Sequence, residues 1–167
     1  MKLSIAKRLG LLIASAVVGI VVLVAISLLS ERTMIMEERK LGLEQAVETA
    51  HGIVTQIQDQ VASGKLSEEE GKQRAIAAIK GLRYSSQEYF FLQDLQSRMV
   101  MHPTSPKLDG TDVSGLKDPT GKFFTQEMNK VIKDSGAGFV FYMWPKPGQQ
   151  VPAQKVTYVK ALRDWGW

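Results

Sequence analysis

The hydrophobic pattern of the chain changes period twice, and each change marks a new kind of element. From Leu9 to Leu29 (LGLLIASAVVGIVVLVAISLL) there is neither a charge nor a proline. Twenty-one residues at about 1.5 Å of rise make roughly 31 Å of helix, which matches a bilayer core of about 30 Å. A core helix of a soluble domain would keep a polar face. A cleaved signal peptide has a shorter apolar region of about 7–15 residues and a small-x-small site, for which Ser27-Leu28-Leu29-Ser30-Glu31 is a poor candidate. The run therefore predicts an uncleaved transmembrane helix over residues 9–30, behind a basic leader of residues 1–8.

From Glu31 to about Ala62 the residues are helix formers, and Met36, Leu43, Val47, Ala50, Val54, Ile57 and Val61 recur at spacings of three and four. Such a stripe predicts an amphipathic helix continuing out of the membrane. Two roles stay open for it: covering the domain core, and pairing its membrane-proximal part with the same helix of a second chain. Ser63-Gly64-Lys65 breaks the pattern, and Ser67-Glu68-Glu69-Glu70 reads as a capping box. A second helix is expected to about Lys80, burying Ala75, Ile76 and Ile79 and stopping at Gly81.

The period then falls to two. Glu88 to Gln93 predicts a strand, Asp94 to Ser97 a turn, and Arg98 to His102 the returning strand. Pro103 to Gly121 is dense in Pro, Gly, Asp and Ser, which predicts a long ordered loop lying across a pocket. Asp118-Pro119 is expected to cap and start a third helix through about Asp134, ended by Gly136-Ala137-Gly138. Strands follow over Phe139–Trp144 and Gln154–Leu162, joined by the turn PKPGQQVP. This order predicts an α+β fold with an antiparallel sheet.

Charge alters the picture only at the membrane. Lys2, Lys7 and Arg8 crowd the leader, which places the N-terminus in the cytoplasm and the body, residues 31–167, across the membrane in the periplasm. Arg32, Arg39 and Lys40 also follow the span, but Glu31, Glu37 and Glu38 are interleaved with them. The net charge of +4 suggests a nucleic-acid partner until the leader is set aside. Without its three basic residues, 18 cations face 17 acids, which leaves no basic stripe for phosphates. The absence of cysteine fits a periplasmic address and excludes a disulfide framework or a cysteine-ligated metal.

The catalytic inventory is thin: two histidines, no cysteine, and no HExxH, GxSxG, Walker-type or GxGxxG pattern. No enzyme, cofactor or metal site is expected. His51 falls on the polar side of the long helix and is expected to be solvated. His102 ends a strand and opens the long loop, so capping the strand end and touching a ligand are both open to it. Alternation puts Tyr89 with Phe91, and Tyr142 with Trp144, on single faces. Arg83 and Lys155 flank the strands, either as surface residues or as the positive charge of a site. Two cations, phenols, an indole and an imidazole together suit a small carboxylate.

Several ordered motifs resemble the single Cache domain of bacterial chemoreceptors and sensor kinases. They are Leu82-Arg83-Tyr84 with Tyr89-Phe90-Phe91, Met101-His102-Pro103, Lys117-Asp118-Pro119, Gly138-Phe139-Val140 with Trp144-Pro145-Lys146-Pro147-Gly148, and Lys155 with Tyr158-Val159-Lys160 and Trp165-Gly166-Trp167. The resemblance spans about residues 31–167. It implies a PAS-like antiparallel sheet on a long N-terminal helix, a homodimer formed through that helix, and a short carboxylate ligand of the acetate, propionate, pyruvate or lactate class. By motif position it implies Arg83, Tyr89, His102, Trp144, Lys155 and Tyr158 as ligand contacts. Relatives continue with a final strand, a second membrane helix and a cytoplasmic HAMP and methyl-accepting or kinase region, so this chain is expected to be a fragment that stops inside a strand. The output expected is chemotaxis signalling. A sensor kinase or cyclase input, or a membrane-tethered periplasmic binding or adaptor protein, is the alternative.

Overall fold

The computed structural model describes residues 4–85, 87–146 and 148–167. Lys2 of the leader and Pro147 of the last turn lie outside the described residues. The first helix, α1, runs Ile5–Ala62, and contacts divide the chain into two compact units, Met1–Leu41 and Gly42–Trp167. In the first unit, Ile5–Ser27 is long and apolar enough to cross a membrane, and none of it is buried in protein. A helix that satisfies its own backbone and shows apolar side chains on every side suits lipid rather than water.

The second unit begins with the last six turns or so of α1, from Gly42 to Ala62. Here the predicted stripe does cover a core: Ala50 and Val54 are buried, and Leu43, Val47, Ile57 and Val61 are half-buried. Helix α2, Glu68–Gly81, starts as its sequence dictates. Ser67 Oγ accepts from the Glu70 amide at 3.2 Å, and Glu70 Oε2 accepts from the Ser67 amide at 3.0 Å. α2 approaches α1 at Gly71, where a Cβ would collide with the Val61 side chain, so no larger residue fits without a shift. Ala75 and Ile79 of α2 join Ala50, Val54, Leu92, Met101 and Leu162 in one core, with Ile76 only half-buried at its edge.

The strands depart from the simplest expectation. Glu88–Gln93 is not one strand: β1 (Arg83–Tyr84) pairs with β2 (Glu88–Tyr89), whereas β3 (Leu92–Gln93) pairs with β4 (Met99–Met101). The ladder changes partner at Phe90-Phe91, and the β3–β4 register is itself irregular between Leu92 and Gln93. The turn after β3 is as predicted, since Asp94 Oδ1 accepts from the Gln96 and Arg98 amides at 2.9 and 2.7 Å.

Helix α3, Phe124–Ser135, starts five residues later than a cap at Asp118 suggests. Asp118 does not cap a helix because its carboxylate is occupied by a tight turn, closed by Gly121 at φ 87°. Gly136, at φ 78°, ends α3 as predicted. β5 (Ala137–Pro145) and β6 (Pro152–Lys160) then form a nine-residue antiparallel ladder from Ala137↔Lys160 to Pro145↔Pro152. β6 ends two residues earlier than predicted, and the last residues are not a strand. Arg163–Trp165 forms a 3-10 turn, and Leu162 and Trp167 exchange backbone hydrogen bonds because Gly166 adopts a left-handed conformation. The fold is thus α+β, with antiparallel ladders against helices. A second core joins Phe124 and Met128 of α3 to Val140 and Tyr142 of β5.

Candidate functional site

Among the described residues of the second unit, two cavities bear on function. The larger, about 130 Å³, is lined by Leu43, Val47, Ala50 and Val54 of α1, by the β2–β3 segment, and by Lys155, Thr157, Tyr158, Val159 and Lys160 of β6. The smaller, about 20 Å³, is bounded by Tyr89, Phe91, Met99, His102, Leu108, Leu116, Phe124, Thr125, Tyr142 and Trp144. That is room for about one water, so a ligand of several heavy atoms enters only if a wall gives. Tyr89 and Phe91 line both cavities, which confirms their common face even though the strand between them is broken.

The chemistry of the smaller cavity centres on His102. Its backbone amide donates to Asp109 Oδ1 at 2.7 Å, which holds the loop against the end of β4. Its ring Nδ1 accepts from the Ser105 amide at 3.1 Å. An atom that accepts from an N–H carries no proton, so the neutral ring bears its hydrogen on Nε2. Burial, and then the nearby positive charge of Lys155, lower the His102 pKa to about 4, against a smaller opposing effect of Asp109. The imidazole is therefore neutral at pH 7. Its Nε2–H has no protein acceptor among the described residues.

Aromatic rings complete the walls. Tyr89 packs on His102 with centroids 5.0 Å apart, and the Phe91 ring lies nearly parallel to that of His102 at 5.9 Å. Phe124 stacks on Tyr142 at 4.5 Å and tilts against Trp144 at 5.1 Å. Tyr142 is buried, its hydroxyl lies 3.0 Å from Thr157 Oγ1, and burial pushes its pKa upward. Tyr142 and Trp144 therefore share a face, as their alternation predicts.

The structure sorts the six predicted contact residues. Tyr89, His102 and Trp144 come together at the smaller cavity. Lys155 lines the larger cavity, next to the shared Tyr89 wall, with Nζ 4.4 Å from the Tyr89 ring centre, 3.4 Å from its hydroxyl and 3.8 Å from Glu88. Tyr158 also lines the larger cavity and donates to Glu44 Oε1 at 3.4 Å. Arg83 lines neither: its exposed guanidinium donates to the Lys80 and Leu82 carbonyls, capping the end of α2. His51 is not solvated as expected. It is half-buried, and Nε2 lies 2.9 Å from the Ala161 carbonyl, a partner 110 positions away that helix periodicity cannot reveal.

Comparison with known proteins agrees with this architecture. Residues 35–167 match the family described as Single Cache domain 2. The chain is similar to the methyl-accepting chemotaxis protein McpP of Pseudomonas putida, 36% identical over 165 residues, covering 99% of this chain but 30% of McpP. It is also similar to the sensor histidine kinase MctS of Rhizobium johnstonii, 31% identical over 60% of this chain and 22% of MctS. The chain thus spans less than a third of either relative. Among solved structures, a periplasmic sensor domain of a chemotaxis protein superposes with TM-score 0.78 at 45% identity, covering 79% of this chain and 92% of that one. A Cache chemosensory domain described for carboxylic acid recognition superposes with TM-score 0.77 at 44% identity, covering 80% and 90%. With a family match over four-fifths of its length and solved sensor domains of the same architecture, the chain belongs to the single Cache domain family of chemosensory domains.

Proposed function

We propose that the chain is the extracytoplasmic input of a membrane-anchored chemoreceptor and that it binds a short carboxylate in the smaller cavity. The observation that carries this is the state of His102: a buried, neutral imidazole whose Nδ1 is satisfied by Ser105, so that Nε2–H is a donor awaiting an acceptor. An imidazole N–H in a cavity wall, with the other ring nitrogen already bonded, selects for an acceptor, and a carboxylate oxygen supplies a charge-assisted hydrogen bond. The Trp144 indole lies in the same wall, and Lys155 adds positive charge behind Tyr89. The small volume favours acids of two or three carbons. A 44%-identical Cache domain described for carboxylic acid recognition supports the ligand class.

In this proposal Tyr89, His102, Trp144 and Lys155 serve the ligand. Tyr158 and Arg83 act elsewhere, at α1 and at the end of α2. β6 carries Lys155 and also ties to α1 through Tyr158–Glu44 and Lys160–Glu48, so a shift of β6 on binding is passed to α1. The apolar helix anchors the chain with its N-terminus cytoplasmic and its sensor unit periplasmic, and two copies pair through α1. Such a shift needs a ligand that binds one position more tightly than the other. Similarity to both a chemotaxis protein and a sensor kinase leaves the same input compatible with either output.

Isothermal calorimetry of the full chain in nanodiscs, titrated with sodium acetate, propionate, pyruvate and lactate and with ethylammonium, tests the proposal. Heat from at least one acid and none from the amine is expected. Binding of none of the acids by folded protein contradicts it.

A further inference from the structure

The loop from Pro103 to Phe123 walls the smaller cavity through Leu108 and Leu116, yet it has little regular structure to hold it there. Its first half is tied to β4 and α3: the Gly110 amide donates to Met99 O, and Thr125 Oγ1 donates to Val113 O. Its second half is tied to β5 by two side chains. Asp118 Oδ2 accepts from the Met143 amide at 2.9 Å, and Lys122 Nζ donates to the Phe141 carbonyl. In an antiparallel ladder alternate residues aim their amides at the partner strand, so a Met143 N–H and a Phe141 C=O used this way face away from β6. They flank Tyr142, whose side chain lines the cavity. One carboxylate and one ammonium thus supply the acceptor and donor that a neighbouring strand would offer.

We infer that Asp118 and Lys122 form a positioning clamp, a side-chain surrogate for a strand on the outer edge of β5, which fixes the Tyr142–Trp144 wall and thereby sets ligand affinity. The inference rests on the carboxylate-binding proposal for the same cavity. The clamp is rigid because the other oxygen, Oδ1, accepts from Thr120 N at 2.8 Å, Thr120 Oγ1 at 2.6 Å and Lys122 N at 3.0 Å. These bonds, led by that from the Thr120 hydroxyl, hold the buried Asp118 carboxyl at a pKa of about 2, so it stays ionised. Lys122 is also paired with Glu127 at 2.8 Å in the first turn of α3. Phe124, which stacks on Tyr142, follows Lys122 by two residues, so the clamp orients both faces of one aromatic stack.

Asp118→Asn and Thr120→Val separate a clamp from mere loop integrity. The Asn side chain can keep Oδ1 as acceptor within the turn but sets an NH2 against the Met143 N–H. The Val side chain loses one turn bond and leaves the link to β5. In the full chain in nanodiscs, Asp118→Asn is expected to raise Met143 amide exchange and to weaken acid binding, each by about tenfold, because a charge-assisted bond is lost. Thr120→Val is expected to change either by less than about twofold. Propionate is the probe for affinity, and exchange is read by NMR without ligand. Unchanged exchange in Asp118→Asn, or equal losses in both variants, overturns the clamp. If the unaltered chain binds no acid, the carboxylate proposal fails, and with it the claim on affinity, while the exchange result still decides whether the clamp positions β5.

Discussion

The two cavities of the sensor unit share a wall of Tyr89 and Phe91 but differ in size and in the polar groups they hold. The larger has more than six times the volume and opens between α1, the β2–β3 segment and β6, with His51, Asn129, Lys155 and Lys160 among its lining residues. The smaller holds about one water, and it holds His102 and Trp144. Volume and recognition are therefore separate properties. Apolar surface dominates both walls and supplies affinity without direction, whereas an imidazole N–H whose other ring nitrogen is already satisfied specifies what must arrive opposite it.

The comparison breaks most readily at His102. Replacing it with Ala removes the directed donor, and carboxylate affinity measured by calorimetry is expected to fall between about 10- and 100-fold. An unchanged affinity would return the larger cavity to contention. Trp144→Phe keeps most of the apolar wall and loses only the indole N–H, so a smaller loss of about threefold to tenfold is expected.

Protonation sharpens the contrast in a second way. The unfolded chain takes up a proton at His102 near the ordinary value of 6.5, the folded chain only at about 4. Between those values the unfolded state binds more protons, so stability rises with pH across that window and is lost as pH falls through it. Thermal unfolding of the chain and of His102→Gln at steps from pH 7 to 4 is expected to show a shallower decline in the variant. Parallel curves would mean that His102 titrates normally when folded. The smallest effect belongs to the larger cavity. Tyr158→Phe removes the bond to Glu44 and is expected to leave acid affinity within about twofold, since a long, half-exposed hydrogen bond contributes little.

Local signals in the sequence proved legible, and distant ones did not. Ser67 and Glu70 lie three positions apart and read correctly as a capping box, and Gly136 read correctly as a helix stop. Tyr142 and Trp144 declared a shared face by alternation alone. Asp118 misled because its carboxylate serves a local turn at Thr120 and Lys122 and a partner, Met143, 25 positions away, and His51 misled because its partner Ala161 lies 110 positions away. Arg83 is the instructive exception. A cation just past a helix end is a recognised cap for free carbonyls, so its role was readable from Lys80 and Leu82 nearby. The pattern of polar types left a surface residue and a binding charge both open. The break of Glu88–Gln93 into two ladders was not legible, since a change of partner strand leaves the alternation of a single segment intact.

The central claim is that the ligand sits with His102 and not in the larger cavity. Chemical-shift mapping tests it most directly, using the full chain in nanodiscs with 15N-labelled histidine and tryptophan and methyl-labelled Leu and Val, titrated with sodium propionate. The account predicts saturable shifts at His102 Nε2 and the Trp144 indole, with Leu43, Val47 and Val159 methyls unmoved. Shifts confined to those methyls, with His102 silent, would contradict it.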